Sequence, residues 1–237
     1  MPRYYGDFHM HSALSPCGDE DMTPSSIAEM AALKELDIIA LSDHNSAKNV
    51  AAVMKNAEEY DILVVPAMEL NSREDVHIVC YFPDLHSCET YSEHVYGYLP
   101  DIPWDESFFG RQLVMDEEDN ITGKVDKLLI SGLNLSVDEI FSDVYDMGGV
   151  PIFAHVDKKY NSVLSSLGFI PPQLEVNTIE ISKNAVPEIF LERTLKKRYR
   201  YLVSSDAHNL GDISEREFSV TLEEKSVACF LNRLKQK

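Results

Sequence analysis

An α/β fold with a mainly parallel sheet is predicted for this chain of 237 residues, because short apolar runs alternate with amphipathic stretches along most of it. Strand followed by helix followed by strand requires crossovers, and crossovers make neighbouring strands parallel. No internal repeat, low-complexity tract or Gly/Ser linker interrupts the alternation, so residues 1–237 read as one domain. The seven strand-like runs suit either a small α/β barrel or an open α/β sheet.

Taken in order, the first strand is expected over Tyr4–Phe8. Thr23 then supplies an N-cap and Pro24 a first helical position for a helix running to about Leu36. Ile38–Leu41 and Ile62–Pro66 are strands separated by a helix over Ala47–Glu59, and Val76–Phe82 is a fourth strand. After a break, the pattern resumes with a helix over Val137–Met147 and strands over Val150–Ala154, Thr178–Ile181 and Tyr201–Val203. Helices are expected over Pro187–Arg198 and Glu224–Gln236. The break, residues 86–127, is acidic, aromatic and punctuated by proline. It reads as an insertion containing a hairpin, with Arg111–Met115 and Ile121–Val125 flanking the acidic turn Asp-Glu-Glu-Asp-Asn.

Hydrophobic residues make up 44% and charged residues 26%, a balance that suits a soluble globular domain. The apolar runs are too short for a membrane span, and Met-Pro-Arg-Tyr-Tyr-Gly-Asp at the start has no signal-peptide character. The cytoplasm is the expected compartment and no membrane partner is expected. Cys17, Cys80, Cys88 and Cys229 form no C-x-x-C pair and read as reduced thiols. A formal net charge of −19 repels polyanions and argues against long nucleic acid as a partner. It still permits a short nucleotide drawn into a pocket by bound cations. No feature of the sequence sets an oligomeric state.

The chemistry-bearing residues fall at the ends of the strand candidates. His9 and His11 follow the first strand, His44 the second, Glu69 the third, His155 the fifth, and Asp206 and His208 the seventh. In a parallel α/β fold these C-terminal ends share one face, where ligands bind. His77 is the exception, placed early in the fourth strand. Imidazole and carboxylate donors suit zinc, manganese or iron. The two residues of an H-x-H or D-x-H pair can meet one metal once the backbone leaves the extended conformation. Six of the eight histidines occupy these positions, and His86 and His94 fall in or beside the insertion. No G-x-S-x-G elbow, Walker A loop or G-x-G-x-x-G loop is present, and a Cys17–His11 pair would leave the other histidines unexplained.

These stretches resemble the PHP (polymerase and histidinol phosphatase) superfamily over nearly the whole chain. The matching segments are Asp7-Phe8-His9-Met10-His11-Ser12, Asp19 with Met22-Thr23-Pro24, Ser42-Asp43-His44-Asn45, Met68-Glu69-Leu70, Val76-His77-Ile78, Ala154-His155-Val156 and Ser205-Asp206-Ala207-His208. The resemblance implies a distorted seven-stranded β/α barrel, a site for three divalent metals and hydrolysis of phosphoesters. It implies the metal ligands His9, His11, Asp19, His44, Glu69, His77, His155, Asp206 and His208, with Glu69 bridging two metals. Asp7 and Asp43 are expected to orient the imidazoles beside them. Lys158, in His155-Val156-Asp157-Lys158-Lys159, is the candidate to hold phosphate. His44 or His208 is the candidate to protonate the leaving group. The expected substrate is a small phosphomonoester, a nucleotide or a sugar phosphate. Nuclease action on short oligonucleotides and a non-catalytic, metal-binding regulatory domain are the alternatives.

Overall fold

The computed structural model describes residues 1–195 and 199–236. The strands are β1 (Arg3–Met10), β2 (Ile38–Leu41), β3 (Leu63–Asn71), β4 (His77–Tyr81), β5 (Leu113–Met115), β6 (Ile121–Lys124), β7 (Val150–Phe153), β8 (Thr178–Ser182), β9 (Arg200–Ser204) and β10 (Ser219–Thr221). The helices are α1 (Pro24–Leu33), α2 (Val50–Ala57), α3 (Leu85–Tyr96), α4 (Glu106–Phe109), α5 (Val137–Asp146), α6 (Val163–Ser166), α7 (Pro187–Phe190) and α8 (Val227–Lys235). Helix α7 continues as a single π turn over Leu191–Leu195, and the rest of the helix expected to reach Arg198 lies outside the described residues. No helix among the described residues is long and apolar enough to cross a membrane.

Six strands pair in the order β10-β1-β2-β3-β4-β7, while β8 and β9 form a separate parallel pair. The expected closed barrel of seven strands is therefore replaced by a curled half-barrel sheet with the β8–β9 ribbon beside it. The reason lies at the edge of β1. Strand β10 pairs antiparallel with Arg3–Tyr5 and occupies the first half of that edge. The loop directly after β9 meets β1 at the strand's far end, through Asp206 N–H to His9 O at 3.0 Å and His11 N–H to Ala207 O at 2.9 Å. Across the other seam, Val156 N–H donates to Glu180 O at 2.9 Å.

The sheet is not uniformly parallel. Strands β1, β2 and β3 are parallel, but β4 runs antiparallel to both β3 and β7. This reversal resolves the anomaly of His77. Because β4 enters the sheet from the opposite end, its first residue lies beside Asn71, the last residue of β3. It also lengthens β3, whose first half pairs with β2 and whose second half, Ala67–Asn71, pairs with β4. Glu69 accordingly lies inside a strand and not after one.

The two faces of the sheet pack separately. One carries Ile39, Leu41, Met68, Leu70 and Ile78 against α1, α2, α3 and α5. The other carries Phe8, Ile38, Ala40, Val65 and Val79 and is covered by α8, whose Phe230 stacks on Phe8 at 5.1 Å between ring centroids. Phe8 belongs to one face and Met10 to the other, although two-residue spacing should put them on the same side. The register shift between Asp7 and Met10 turns the chain over there, and both His9 and His11 end fully buried.

The 86–127 region contains an unforeseen helix, α3, capped by the Asp84 carboxylate on Ser87 N–H at 2.8 Å. Its β5–β6 hairpin forms as expected, and the acidic turn has a structural task. The Asp119 carboxylate accepts from Thr23 Oγ1, Ser25 N and Ser25 Oγ, which seats it at the start of α1 where anionic groups are favoured. Leu113 N–H donates to Ala13 O at 2.9 Å, so the hairpin lies along the loop that follows β1.

Candidate metal centre

The β1 turnover, the ends of β2 and β7, the reversed β4 and the loop after β9 bring eight of the nine expected ligands to one place. Glu69 is at the middle, 1% exposed. Five imidazole nitrogens surround its carboxylate: His77 Nδ1 at 2.9 Å, His44 Nδ1 and His155 Nε2 at 3.1 Å, His9 Nε2 at 3.4 Å and His11 Nε2 at 3.6 Å. Asp206 Oδ1 lies 3.1 Å from His11 Nε2 and 3.4 Å from His9 Nε2. His208 stacks on His11 at 4.3 Å between ring centroids.

The donors fall into three overlapping groups among the described residues: His11, His44 and His208; His9, His11, Glu69 and Asp206; and His44, Glu69 and His77. Glu69, His11 and His44 each belong to two. His155 Nε2 reaches the same Glu69 oxygen as His77, Oε1, at 3.1 Å. The donor spacing fits divalent cations. Two bonds of about 2.1 Å meeting at 90–110° span about 3.0–3.4 Å, close to the separations found here. His44 Nδ1 and Glu69 Oε2 approach to 3.1 Å without hydrogen-bonding geometry, and each is a buried atom with no hydrogen-bond partner. Buried polar atoms are rarely left so, and a shared cation satisfies both.

Asp19 is the exception. It is exposed and belongs to none of the three groups, and its backbone N–H donates to His208 O at 2.8 Å. That bond places it on the rim beside His208.

The electrostatics of the cluster follow from burial competing with opposite charge. Burial pulls His9 down, but the carboxylates of Glu180, Glu69 and Asp206 outweigh it and hold the imidazole well above its ordinary value. Burial pushes Glu69 up, yet the charges of His77 and His9, the hydrogen bond from His155 and the neighbouring His44 ring keep it well below the usual carboxylate range. Asp206 is likewise held down, against burial, by His9 and His11. His11 goes the other way, lowered by burial and by His208 and His44. Burial lowers His44, but the Cys17 side chain and Glu69 more than compensate and raise it to about 9.

Supporting contacts correct two expectations. Asp43 acts on the imidazoles through a serine: its Oδ1 accepts from Ser15 Oγ at 2.7 Å, and Ser15 Oγ lies 3.0 Å from His11 Nδ1. Asp7 touches no imidazole. Its two oxygens accept from the backbone N–H groups of Ser205 and Ser214, bracing both ends of the loop that carries Asp206 and His208. The residue that does orient His9 is Glu180, which sequence reasoning missed. Both Glu180 oxygens lie near His9 Nδ1, at 2.9 and 3.1 Å, and Oε1 also accepts from His155 N–H at 3.0 Å. In the neutral ring the contact holds the proton on Nδ1, so that Nε2 is the nitrogen able to ligate. A carboxylate in the middle of the buried strand Thr-Ile-Glu-Ile-Ser was the available signal.

Lys158, the candidate to hold phosphate, lies at the edge of the cluster with its ammonium paired with Asp206 Oδ2. Burial lowers its pKa, but Asp206 prevails and raises it, so the amine stays charged. Backbone strain gathers here too. Asn45, His155 and Asp206 have φ of 49°, 28° and 54°, and each follows a strand that delivers a ligand. Non-glycine residues in this region cost about 1–3 kcal/mol and persist where the surroundings impose them. Trp104 and Phe108 of the 86–127 region do not join the donors. Trp104 Nε1 donates to Asp126 O at 2.7 Å, and Phe108 is 81% exposed.

No family model and no curated protein matches the chain. Solved structures do. The lesion-specific endonuclease Q of Pyrococcus furiosus superposes with a TM-score of 0.69 at 18% identity, over 99% of this chain and 56% of that one. Endonuclease Q in complex with a 27-mer duplex bearing an abasic lesion at its active site gives 0.63 at 19%, over 88% of this chain and 50% of that one. This chain thus spans about half the length of the endonuclease Q structures. A provisionally assigned metal-dependent phosphoesterase from Bifidobacterium adolescentis gives 0.58 at 19%, over 87% and 88% of the two chains. The fold of the chain, a curled sheet with the His, Asp and Glu cluster at one mouth, is similar to the fold of these solved structures.

Proposed function

We propose that this chain is a metal-dependent phosphoesterase that hydrolyses a small phosphomonoester, a nucleotide or sugar phosphate, at the cluster around Glu69. The observation that carries this reading is a single buried carboxylate within 3.6 Å of five imidazole nitrogens, with Asp206 beside it. We take His9, His11, His44, Glu69, His77, His155, Asp206 and His208 as ligands of divalent metals, zinc, manganese or iron, three in number. Asp19 joins them from the rim if its side chain turns inward. The metals, when bound, supply Lewis-acid charge and a water that ionises near neutral pH. Residues 86–127 act as an insertion in a single domain.

The chain's own groups do the rest. Glu69 holds the ligand shell together from its centre. Glu180 fixes the His9 tautomer, and Ser15 does the same for His11 on behalf of Asp43. Lys158 stays charged beside Asp206 and binds a phosphoryl oxygen at the mouth. His208 is the better candidate of the two to protonate the leaving group, because its side chain is 31% exposed whereas that of His44 is 4% exposed and belongs to two donor groups.

A second reading, nuclease action, gains from the similarity to endonuclease Q, whose structure with a duplex also weakens the argument from net charge against long nucleic acid. The test is a hydrolysis screen of the metal-reconstituted protein on nucleotides, sugar phosphates, short oligonucleotides and duplex DNA, with Glu69→Gln as control. Metal-dependent turnover lost at least 1,000-fold in the variant supports the assignment. Full activity in Glu69→Gln refutes it, and metal binding without turnover on any substrate favours the regulatory domain.

A further inference from the structure

We infer that Lys158 sets metal affinity through Asp206. Its ammonium opposes the cation that Asp206 ligates, and a bound phosphoryl group relieves that opposition, so that metal and phosphate each strengthen binding of the other. The inference rests on the ligand reading above and adds a means of regulating that same centre.

The two oxygens of Asp206 have different partners. Oδ1 lies 3.1 Å from His11 Nε2 and 3.4 Å from His9 Nε2, within the donor group that includes Glu69. Oδ2 pairs with the Lys158 ammonium. The lysine is not needed to aim this carboxylate. Asp206 N–H donates to His9 O at 3.0 Å and His11 N–H to Ala207 O at 2.9 Å, so β1 holds the loop at Asp206 and at the residue after it. Ser205, the residue before it, donates its N–H to Asp7 Oδ1 at 3.0 Å. What Lys158 adds to Asp206 is therefore charge and not position. Lys158 is itself tied to the centre. Its N–H donates to the carbonyl of His155 at 2.9 Å, and its own carbonyl accepts from Ser162 Oγ at 2.7 Å. Both anchors keep the amine within reach of Asp206.

An ammonium and a divalent cation drawn to one carboxylate repel each other. At about 5 Å, even screened as in bulk water, a single and a double charge shift an equilibrium about tenfold. A phosphoryl group on the metals offers the ammonium a second anion. Its three N–H donors can serve Asp206 Oδ2 and a phosphoryl oxygen together. The anion thus offsets the repulsion, in addition to its direct attraction to the metals. Linkage makes the effect reciprocal: the factor by which phosphate tightens metal binding is the factor by which metal tightens phosphate binding.

The experiment measures manganese affinity by competition with a chelator, with and without inorganic phosphate, for wild type, Lys158→Met, Lys158→Arg and Lys159→Met. Lys159 is the neighbouring exposed lysine, and its variant removes the same charge from the surface. Without phosphate, Lys158→Met should bind manganese about tenfold more tightly than wild type, while Lys158→Arg and Lys159→Met stay close to wild type. Phosphate should tighten manganese binding by a larger factor in wild type than in Lys158→Met. Unchanged or weaker manganese binding by Lys158→Met overturns the opposition, the weaker result making the lysine a brace for Asp206. An equal gain in Lys159→Met also overturns it, by assigning the effect to net charge. Equal phosphate effects in wild type and Lys158→Met overturn the coupling. The expected pattern without turnover of any phosphoester upholds the inference and removes the phosphoesterase reading. Manganese binding by none of the four proteins removes the ligand reading and the inference with it.

Discussion

At the scale of single residues, the centre shows how position in space assigns chemical roles that residue type leaves open. Glu69 and Glu180 are both buried glutamates in strands, yet one faces five imidazoles and the other holds one imidazole and a backbone N–H. Glu180→Gln keeps an acceptor for His155 N–H but loses the charge that fixes His9. Metal affinity should fall about 10–100-fold, measured by competition with a chelator of known affinity. A second prediction concerns protons. With burial outweighed by carboxylates, His9 is raised well above its ordinary value, and His44, through Cys17 and Glu69, to about 9. Both are therefore protonated at pH 7 in the metal-free protein, and both must be neutral to ligate. Metal uptake at pH 7 should release protons, and the release should shrink as the pH rises past 9. Titration calorimetry in two buffers of different ionisation enthalpy reads the number directly, and equal heats in both would contradict the assignment. The same sign governs stability. The raised histidines stabilise the metal-free fold below their unfolded values, and that contribution is lost as pH rises through the folded ones.

At the scale of elements, helix ends offer a cleaner test than helix interiors. Helix α1 ends with Glu35 at a φ of 54°, where its N–H and that of Leu36 close onto Ala32 O and Ala31 O. Glycine adopts this conformation without a Cβ penalty, so Glu35→Gly should stabilise the protein by about 0.5–1 kcal/mol despite its greater unfolded-state entropy. Helix α5 begins with the reciprocal pair of Ser136 and Glu139, and Ser136→Ala should destabilise it by about 1 kcal/mol. Urea denaturation of the two variants should thus move in opposite directions. The reversal of β4 is the element-level feature with the greatest effect on the site. Had β4 been parallel, His77 would have stood at the far end of the sheet from Glu69.

At the scale of the whole molecule, a net charge of −19 surrounds a centre that we propose takes anionic phosphoesters. Bound divalent cations reverse the sign only locally, within a Debye length of about 10 Å at 0.1 M salt. Association with a polyanion is then opposed at long range and favoured at contact. For a charged oligonucleotide substrate, kcat/KM should rise as salt increases from about 10 to 100 mM, the reverse of the slope shown by proteins that neutralise phosphates with a basic face. A steep fall over that range would mean that a positive surface steers the substrate.

Much of the centre was legible in the sequence. The histidine, Asp206 and Glu69 positions stand out because donors cluster at the ends of apolar runs, and strand ends are set by local patterning. Most strand and helix positions were legible for the same reason, within a few residues. Strand direction was not, because an alternation of period two reads the same from either end, and so His77 looked misplaced until β4 was seen to run backwards. Closure was not legible either, since it depends on whether β10 or β9 takes the edge of β1, a competition between segments some two hundred residues from that strand. Glu180 and the true partners of Asp7 belong to the same class. Their roles are defined by which backbone N–H and which imidazole lie within 3 Å of a carboxylate, and only the folded chain brings those groups together.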